Sequence, residues 1–432
     1  VIIALHKKQI KEIVQKHCDN TRLMKQSTIT LALLFASMSR ATSQKAPQAP
    51  IFQSSNGIGL VMADSSFSIN FRFRMQNRFG FTSADEEPLS PHEFDMRVRR
   101  MRLRMDGFML DPRLTWNLQL SFTRADQDWD NSLVPNVLRD AMIHYRFNKH
   151  FTLSMGLGKL PGNRQRVVSS GEQQFVDRSV VNAALTLDRD YGITGTYQTN
   201  IGKAVLIAKG VVSSGEGRGV TTSKEFSNTS VSDQGLAYTG RVEFLPFGAF
   251  SNRGDYFEGD LLREAKPKLS IAATLHHNER SIRRGGQLGV LLYSPRSFNA
   301  LHADMVFKFR GFAYSAEYLN RIMAGNDSAI TRKGSEISWV YTGWGMNHQM
   351  SYCFKNRWEL AGRYSTLNPD KQIWGTKDGF QQRQYALGIS KYLNKHRVKC
   401  QSDLTWDEQF NAQSGAKNKG SFIWRFQVEL GI

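Results

Sequence analysis

Apolar and polar residues alternate along most of this chain. Phe67, Ile69, Phe71, Phe73, Met75, Phe79 and Phe81 share one parity, while Ser68, Asn70, Arg72, Arg74, Gln76 and Arg78 share the other. A strand puts residues two apart on one face, whereas a helix would scatter these positions around its circumference. The pattern recurs where Leu114, Trp116, Leu118, Leu120 and Phe122 oppose Thr115, Asn117, Gln119, Ser121 and Thr123. Ala141, Ile143, Tyr145 and Phe147 oppose Asp140, Met142, His144 and Arg146. After Asn148 to His150 the apolar face resumes at Phe151, Leu153, Met155 and Leu157. At the carboxyl end Phe422, Trp424, Phe426, Val428, Leu430 and Ile432 oppose Ser421, Arg425, Gln427 and Glu429.

Followed to its end, the alternation predicts sixteen strands. They lie near 66–81, 95–110, 112–124, 138–148, 150–160, 190–199, 202–213 and 236–247, then 267–279, 298–310, 311–323, 335–354, 356–366, 382–393, 396–408 and 420–432. An even number closes a barrel with both chain ends on one side. Strands of about 10–14 residues suit a tilted bilayer crossing better than the roughly 5–6 residues usual in soluble sheets. The expected fold is therefore all-β, a 16-stranded antiparallel transmembrane β-barrel. Asp111-Pro112, Asn148 to His150, Asn200-Ile201 and Asn394-Lys395 read as short turns, and 82–94, 125–137, 161–189, 214–235, 280–297, 367–381 and 409–419 as long loops. The 248–266 connection breaks the rule, being long on the side of the short turns.

Composition removes the helical alternative. Mean hydropathy is −0.43 and 40% of residues are apolar. No run of 18 apolar residues exists to form a spanning helix. A barrel tolerates this dilution, because each lipid-facing residue alternates with a lumen-facing one. The amino end reads as targeting: a basic start at Met24-Lys25, the apolar run from Ile29 to Met38, then small residues at Ala41 to Ser43. Cleavage after Ser43 would leave Gln44 in front. The expected organisation is an upstream extension over 1–23, an export signal over 24–43, an amino-terminal periplasmic segment over 44–65 and the barrel over 66–432. The extension reads either as translation upstream of the true start or as an amphipathic segment in its own right.

Removing 1–43 takes away seven basic and two acidic residues, so the net charge of +19 falls by five to +14. Such an excess suits nucleic acid, an anionic membrane surface or anionic solutes, and an export signal argues against nucleic acid. Cys18, Cys353 and Cys400 form no metal spacing and no disulfide framework; Cys353 and Cys400 either pair in the fold or stay free thiols.

Placement of the charge carries the candidate chemistry. Over 95–105 the chain reads DMRVRRMRLRM, with Met96 and Val98 in one parity and Met101, Leu103 and Met105 in the other. One extra residue at Arg99-Arg100, a β-bulge, reconciles the two phases. Arg97, Arg99, Arg100, Arg102 and Arg104 then all face the lumen, beside Arg72, Arg74 and Arg78 of the preceding strand. In a narrow pore such guanidiniums concentrate anions and match phosphate or carboxylate oxygens. The competing reading is a ladder of arginines paired with carboxylates that stiffens the barrel. The 161–189 interruption is long enough to be functional. Folded inward, it would act as a constriction loop and add Arg164 and Arg166 to the basic wall. His276-His277 and the scattered acids lack metal-ligand spacing, and there is no nucleophile elbow, P-loop or HExxH motif. His144, alone on its face, reads as a passive lumen residue. Neither a cofactor nor a catalytic residue is expected. The other readings are a structural or plugged barrel and a barrel enzyme.

The stretch FRFRMQNRF over Phe71 to Phe79, the Arg99-Arg100 pair, Ser169-Ser170 and FVDRS over Phe175 to Ser179 occur in that order. In this the chain resembles the phosphate-selective porin O and P family, from about residue 66 onward and most strongly over 66–200. The resemblance implies a homotrimeric outer-membrane porin of a Gram-negative bacterium, set in lipid, that passes small inorganic anions such as phosphate. It also implies an anion site at Arg74, Arg99, Arg100 and Arg166, with Asp140 as an acidic lumen residue. Three features depart from the expected pattern. Leu114 or Thr115 stands where members carry a lysine, Arg102 and Arg104 are additional charges, and the chain ends in Ile432 where many outer-membrane barrels end in Phe.

Overall fold

The structure, a computed structural model, describes residues 51–53, 57–83, 90–126, 136–218 and 235–432. The expected upstream extension and export signal, much of the amino-terminal segment and parts of three long loops lie outside the described residues.

Sixteen antiparallel strands form the wall: β1 (Ser68–Ser83), β2 (Pro91–Met109), β3 (Asp111–Ser121), β4 (Leu138–Arg146), β5 (Phe151–Lys159), β6 (Arg189–Ile201), β7 (Ala204–Ser213) and β8 (Ala237–Leu245). The second half comprises β9 (Lys268–Arg283), β10 (Leu291–Phe309), β11 (Phe312–Met323), β12 (Gly343–Cys353), β13 (Trp358–Pro369), β14 (Phe380–Asn394), β15 (Val398–Asn411) and β16 (Lys417–Gly431). Each pairs with its sequence neighbours, and β16 returns to β1 with Phe426 opposite Phe79 and Glu429 opposite Gln76. Closure leaves no free edge, which is how a sheet satisfies its backbone in lipid. All sixteen predicted strands are present.

Alternation decides what each face meets. On β8 the pattern is strict: Tyr238, Val242 and Phe244 point outward while Thr239, Arg241 and Glu243 are buried inside. Leu275 on β9 and Leu387 on β14 are 67% and 71% exposed. So large an outward apolar band has no place in water and is the lipid-facing belt of a membrane barrel. The interior is polar, with Gln76, Arg100, Glu243, His302 and Lys399 all buried.

Two expectations need correction and one exception is explained. Strands run into the expected long loops 280–297 and 409–419, leaving only 284–290 and 412–416 between them. The twelfth strand starts at Gly343, because Glu336–Trp339 pairs instead with Ile330–Lys333 in a separate two-stranded hairpin. A type of residue pattern common to both pieces had merged them. The 248–266 connection is not a loose excursion: Phe250 packs against Val205, Leu245 and Val306, and Tyr256 hydrogen-bonds Glu243 on the lumen face. It folds up into the barrel, which gives its length a purpose. Cys353 on β12 and Cys400 on β15 are free thiols.

The chain between β5 and β6 crosses the lumen. It carries two short helices, α1 (Arg164–Val167) and α2 (Val180–Leu185), the second capped by Ser179. Apolar feet dock it on the far wall: Val181 and Leu185 meet Leu319 and Leu367, and Phe175 meets Ala361 and Ala386. Polar ties supplement them. Lys399 donates to the Gln173 carbonyl (2.7 Å), the Val176 amide to Asp403 (2.8 Å) and Arg363 to the Asp177 carbonyl (2.8 Å).

Candidate functional site

With its back fixed to the second half of the barrel, the loop leaves an opening against β2–β5. The cavity there is ≈ 290 Å³. Its charged lining is Arg102, Arg104, Arg139, Lys159, Arg166, Arg178 and Arg189 against one carboxylate, Asp140. Asp106, Asp126 and Asp188 stand behind these cations, and counting them still leaves positive charge ahead by three.

Two bulges build this wall. Gln76 pairs with Arg100 and Asn77 with Val98, so Arg99 is the extra residue, as the sequence phases require. A second shift sets Gln119 opposite Asp140 and Leu120 opposite Leu138, which leaves Arg139 unopposed and brings it inside beside Asp140. Both Arg102 (Nε, 2.8 Å) and Arg139 (Nη1, 3.4 Å) reach Asp126. Arg189 holds Asp140 with two nitrogens at 2.8 and 3.2 Å, and Arg166 Nε donates to Asp188 at 2.8 Å. Two cations have only carbonyl partners among the described hydrogen bonds. Lys159 donates to Val167 and Val168 (3.0 and 3.2 Å), and Arg178 to Gln165 and Val168 (2.8 and 2.9 Å). Burial, and then the Arg166 guanidinium beside it, push Arg178 down to about 9. That direction is what a pocket short of negative charge produces.

The sequence-derived residues divide among several places. Arg102, Arg104, Arg166 and Asp140 line the cavity. Arg74 donates to Ser169 and Ser170 at the loop tip (3.2 and 2.8 Å), and Arg102 shares Ser170 at 2.9 Å. Gly171 permits this approach, since a side chain there would run into the Arg74 guanidinium. Arg78, Arg99 and Arg100 gather with Arg425 around Asp177, at 2.8, 3.6, 3.7 and 3.5 Å. Burial would raise the Asp177 carboxyl, yet these guanidiniums hold it well below the usual carboxylate range, and Arg166 and Arg189 do the same for Asp188. Arg72 pairs with Asp106, and Arg97 pairs with Asp95 at 2.7 Å while remaining half exposed.

Arg164 lies elsewhere, behind the loop. It meets Asp304 (3.0 Å), Glu243 (3.1 Å) and Asp255 (3.6 Å), with Arg241 and Lys209 completing the cluster. His144 is satisfied on both ring nitrogens, by Ser154 (2.7 Å) and Asn117 (2.9 Å).

Arg139, Lys159, Arg178 and Arg189 were not singled out by sequence. Lys159 has the parity of Leu153 and Met155, which assigns it outward, but at the end of β5 the chain turns in toward the loop. The parity change between Leu138 and Ala141 signals the Arg139 bulge, though one residue on its near side makes a faint signal.

The family model for phosphate-selective porin O and P matches residues 69–256, which bears out the resemblance over that stretch. No curated protein matches the chain. Among solved structures, Pseudomonas putida OprB at high pH is similar with a TM-score of 0.52 and 8% identity, covering 85% of this chain and 95% of that one. The outer membrane channel DcaP of Acinetobacter baumannii gives 0.51 and 9%, covering 89% and 100%. OmpT, an outer membrane protein of Vibrio cholerae folded in vitro, gives 0.50 and 9%, covering 85% and 98%. At these identities the likeness is one of fold.

Proposed function

We propose that this barrel, whose residues 69–256 carry the phosphate-selective porin O and P pattern, is a passive porin for small anions in the outer membrane of a Gram-negative bacterium. The observation that carries the reading is the seven-to-one lining of the cavity between the constriction loop and β2–β5. An anion entering it exchanges part of its hydration shell for guanidinium and ammonium donors. Several such donors spaced along the wall allow it to move on: lumen positions on one strand recur about every 7 Å, so Arg102 and Arg104, both lining the cavity, form successive steps. Inorganic phosphate is a solute whose oxygens match forked guanidinium donors, and the family resemblance favours it. Transport needs no cofactor and no covalent chemistry, and the family resemblance supports a homotrimer as the working assembly.

Phosphate titrated into a chloride current through the purified barrel tests this reading. Block that saturates places phosphate on the pathway. Block that stays proportional to phosphate even at high concentration removes it as a bound solute, and a folded barrel without conductance contradicts the porin. The in-folded 248–266 segment supports a second reading, a plugged barrel, which that silent outcome would select.

A further inference from the structure

The 248–266 segment leaves β8 at the short-turn mouth and runs into the barrel. Its hold inside is Lys308 on β10, a buried side chain whose Nζ donates to the carbonyls of Gly254 (2.7 Å), Phe257 (2.8 Å) and Gly259. An ammonium has three protons to donate, so its whole capacity goes to this one segment. From there the segment reaches the back of the constriction loop. The Glu258 amide donates to the Glu172 carbonyl at 2.9 Å, and the Glu258 carboxylate accepts from the Gln174 amide (2.9 Å) and Gln349 (3.0 Å). Phe250, packed against Val205, Leu245 and Val306, is a second foot.

Between the segment, the loop and β10–β12 lies a cavity of ≈ 30 Å³. That holds about one or two waters and admits no stream of ions. Its charged lining is Asp255, Glu258 and Glu317 against Arg164 and Lys308, so acids outnumber cations, the reverse of the main cavity. Glu317 Oε2 is buried there without a hydrogen-bond partner.

We propose that the segment is a stopper sealing a second, acid-lined route behind the loop, so that anion preference depends on it as well as on the basic wall. The inference rests on the anion-porin reading of the main cavity. Opened, the rear route would carry cations beside the anion current, because carboxylates line it. Lys308 is a positioning residue: it stays out of the main cavity and acts through the segment it holds.

The test compares purified, refolded wild type with K308M in one salt gradient, reading single-channel conductance and reversal potential. K308M keeps the apolar stem and removes the three donors. Conductance is expected to rise and the reversal potential to shift toward zero, with the folded barrel's gel mobility unchanged and K308R close to wild type. Removing a cation could by itself bias the route, so F250A, which loosens the second foot without altering charge, is measured alongside. The same-sign shift is expected of it, and it serves alone if K308M does not refold. Unchanged conductance and reversal potential in the folded variants overturn the stopper. A wild type without anion preference fails the main-cavity reading instead, and the stopper is then read from the rise in conductance alone.

Discussion

Arginine crowds both sides of the constriction loop, but the two sides are built to opposite ends. Behind the loop, Arg164, Lys209 and Arg241 meet Glu243, Asp255 and Asp304 in a buried cluster whose charges balance. In front, seven cations line an open cavity with four carboxylates among and behind them. Desolvated charges persist only when paired, so the rear cluster fixes the loop and attracts nothing. The front wall faces an open cavity with positive charge in excess, which on the proposed reading is what a passing anion uses. A count of lumen arginines therefore says little about a pathway; their neutralisation decides it.

The largest expected effect breaks the rear. Arg241→Met leaves Asp304 and Glu243 short of a partner in a buried setting, which costs about 3–5 kcal/mol. Urea unfolding followed by gel mobility would read that loss, and a variant as stable as wild type would deny the rear cluster its structural role. Next, Lys159→Gln combined with Arg178→Gln removes the two cations whose described hydrogen bonds go to carbonyls alone. The barrel is expected to fold normally while its reversal potential moves toward zero. Wild-type selectivity in that double variant would break the comparison from the front.

A smaller effect concerns pH. Asp177 and Asp188 are held below their unfolded values, so the stability they lend the loop is present above the ordinary carboxylate range. It is lost progressively as pH falls from the ordinary carboxylate range toward their depressed folded values, while the folded carboxylates themselves stay ionised until those lower values. Open-channel noise is expected to stay flat from neutral pH through about pH 4; noise rising in step with ordinary carboxylate titration would contradict the assignment. Smallest is Arg97→Gln. Its half-exposed side chain pairs with Asp95 on its own strand, and selectivity should not move measurably.

How much of this was legible in the sequence follows from what period two can and cannot report. It gave every wall strand, because lipid outside and water inside impose opposite chemistry on alternate residues along β1–β16. It also gave the Arg99 bulge, since Met96-Val98 and Met101-Leu103-Met105 each occupy enough positions to show their phase. It overran at 335–354, where a hairpin strand and a wall strand share the same alternation. It could not separate Arg166 from Arg164, two residues apart in one short helix yet on opposite sides of the loop, because no period describes how a loop lies across a lumen. Nor could it place the 248–266 segment, whose main tie is a lysine 42 positions beyond its end and whose other partners are scattered over several strands and the loop.

The most direct test of the account is the reversal potential of the purified wild-type barrel across a planar bilayer under a KCl gradient. A potential directed toward the chloride equilibrium value is the predicted result, since positive charge exceeds negative along the cavity between the loop and the front wall. A potential directed toward potassium would contradict the account at its centre.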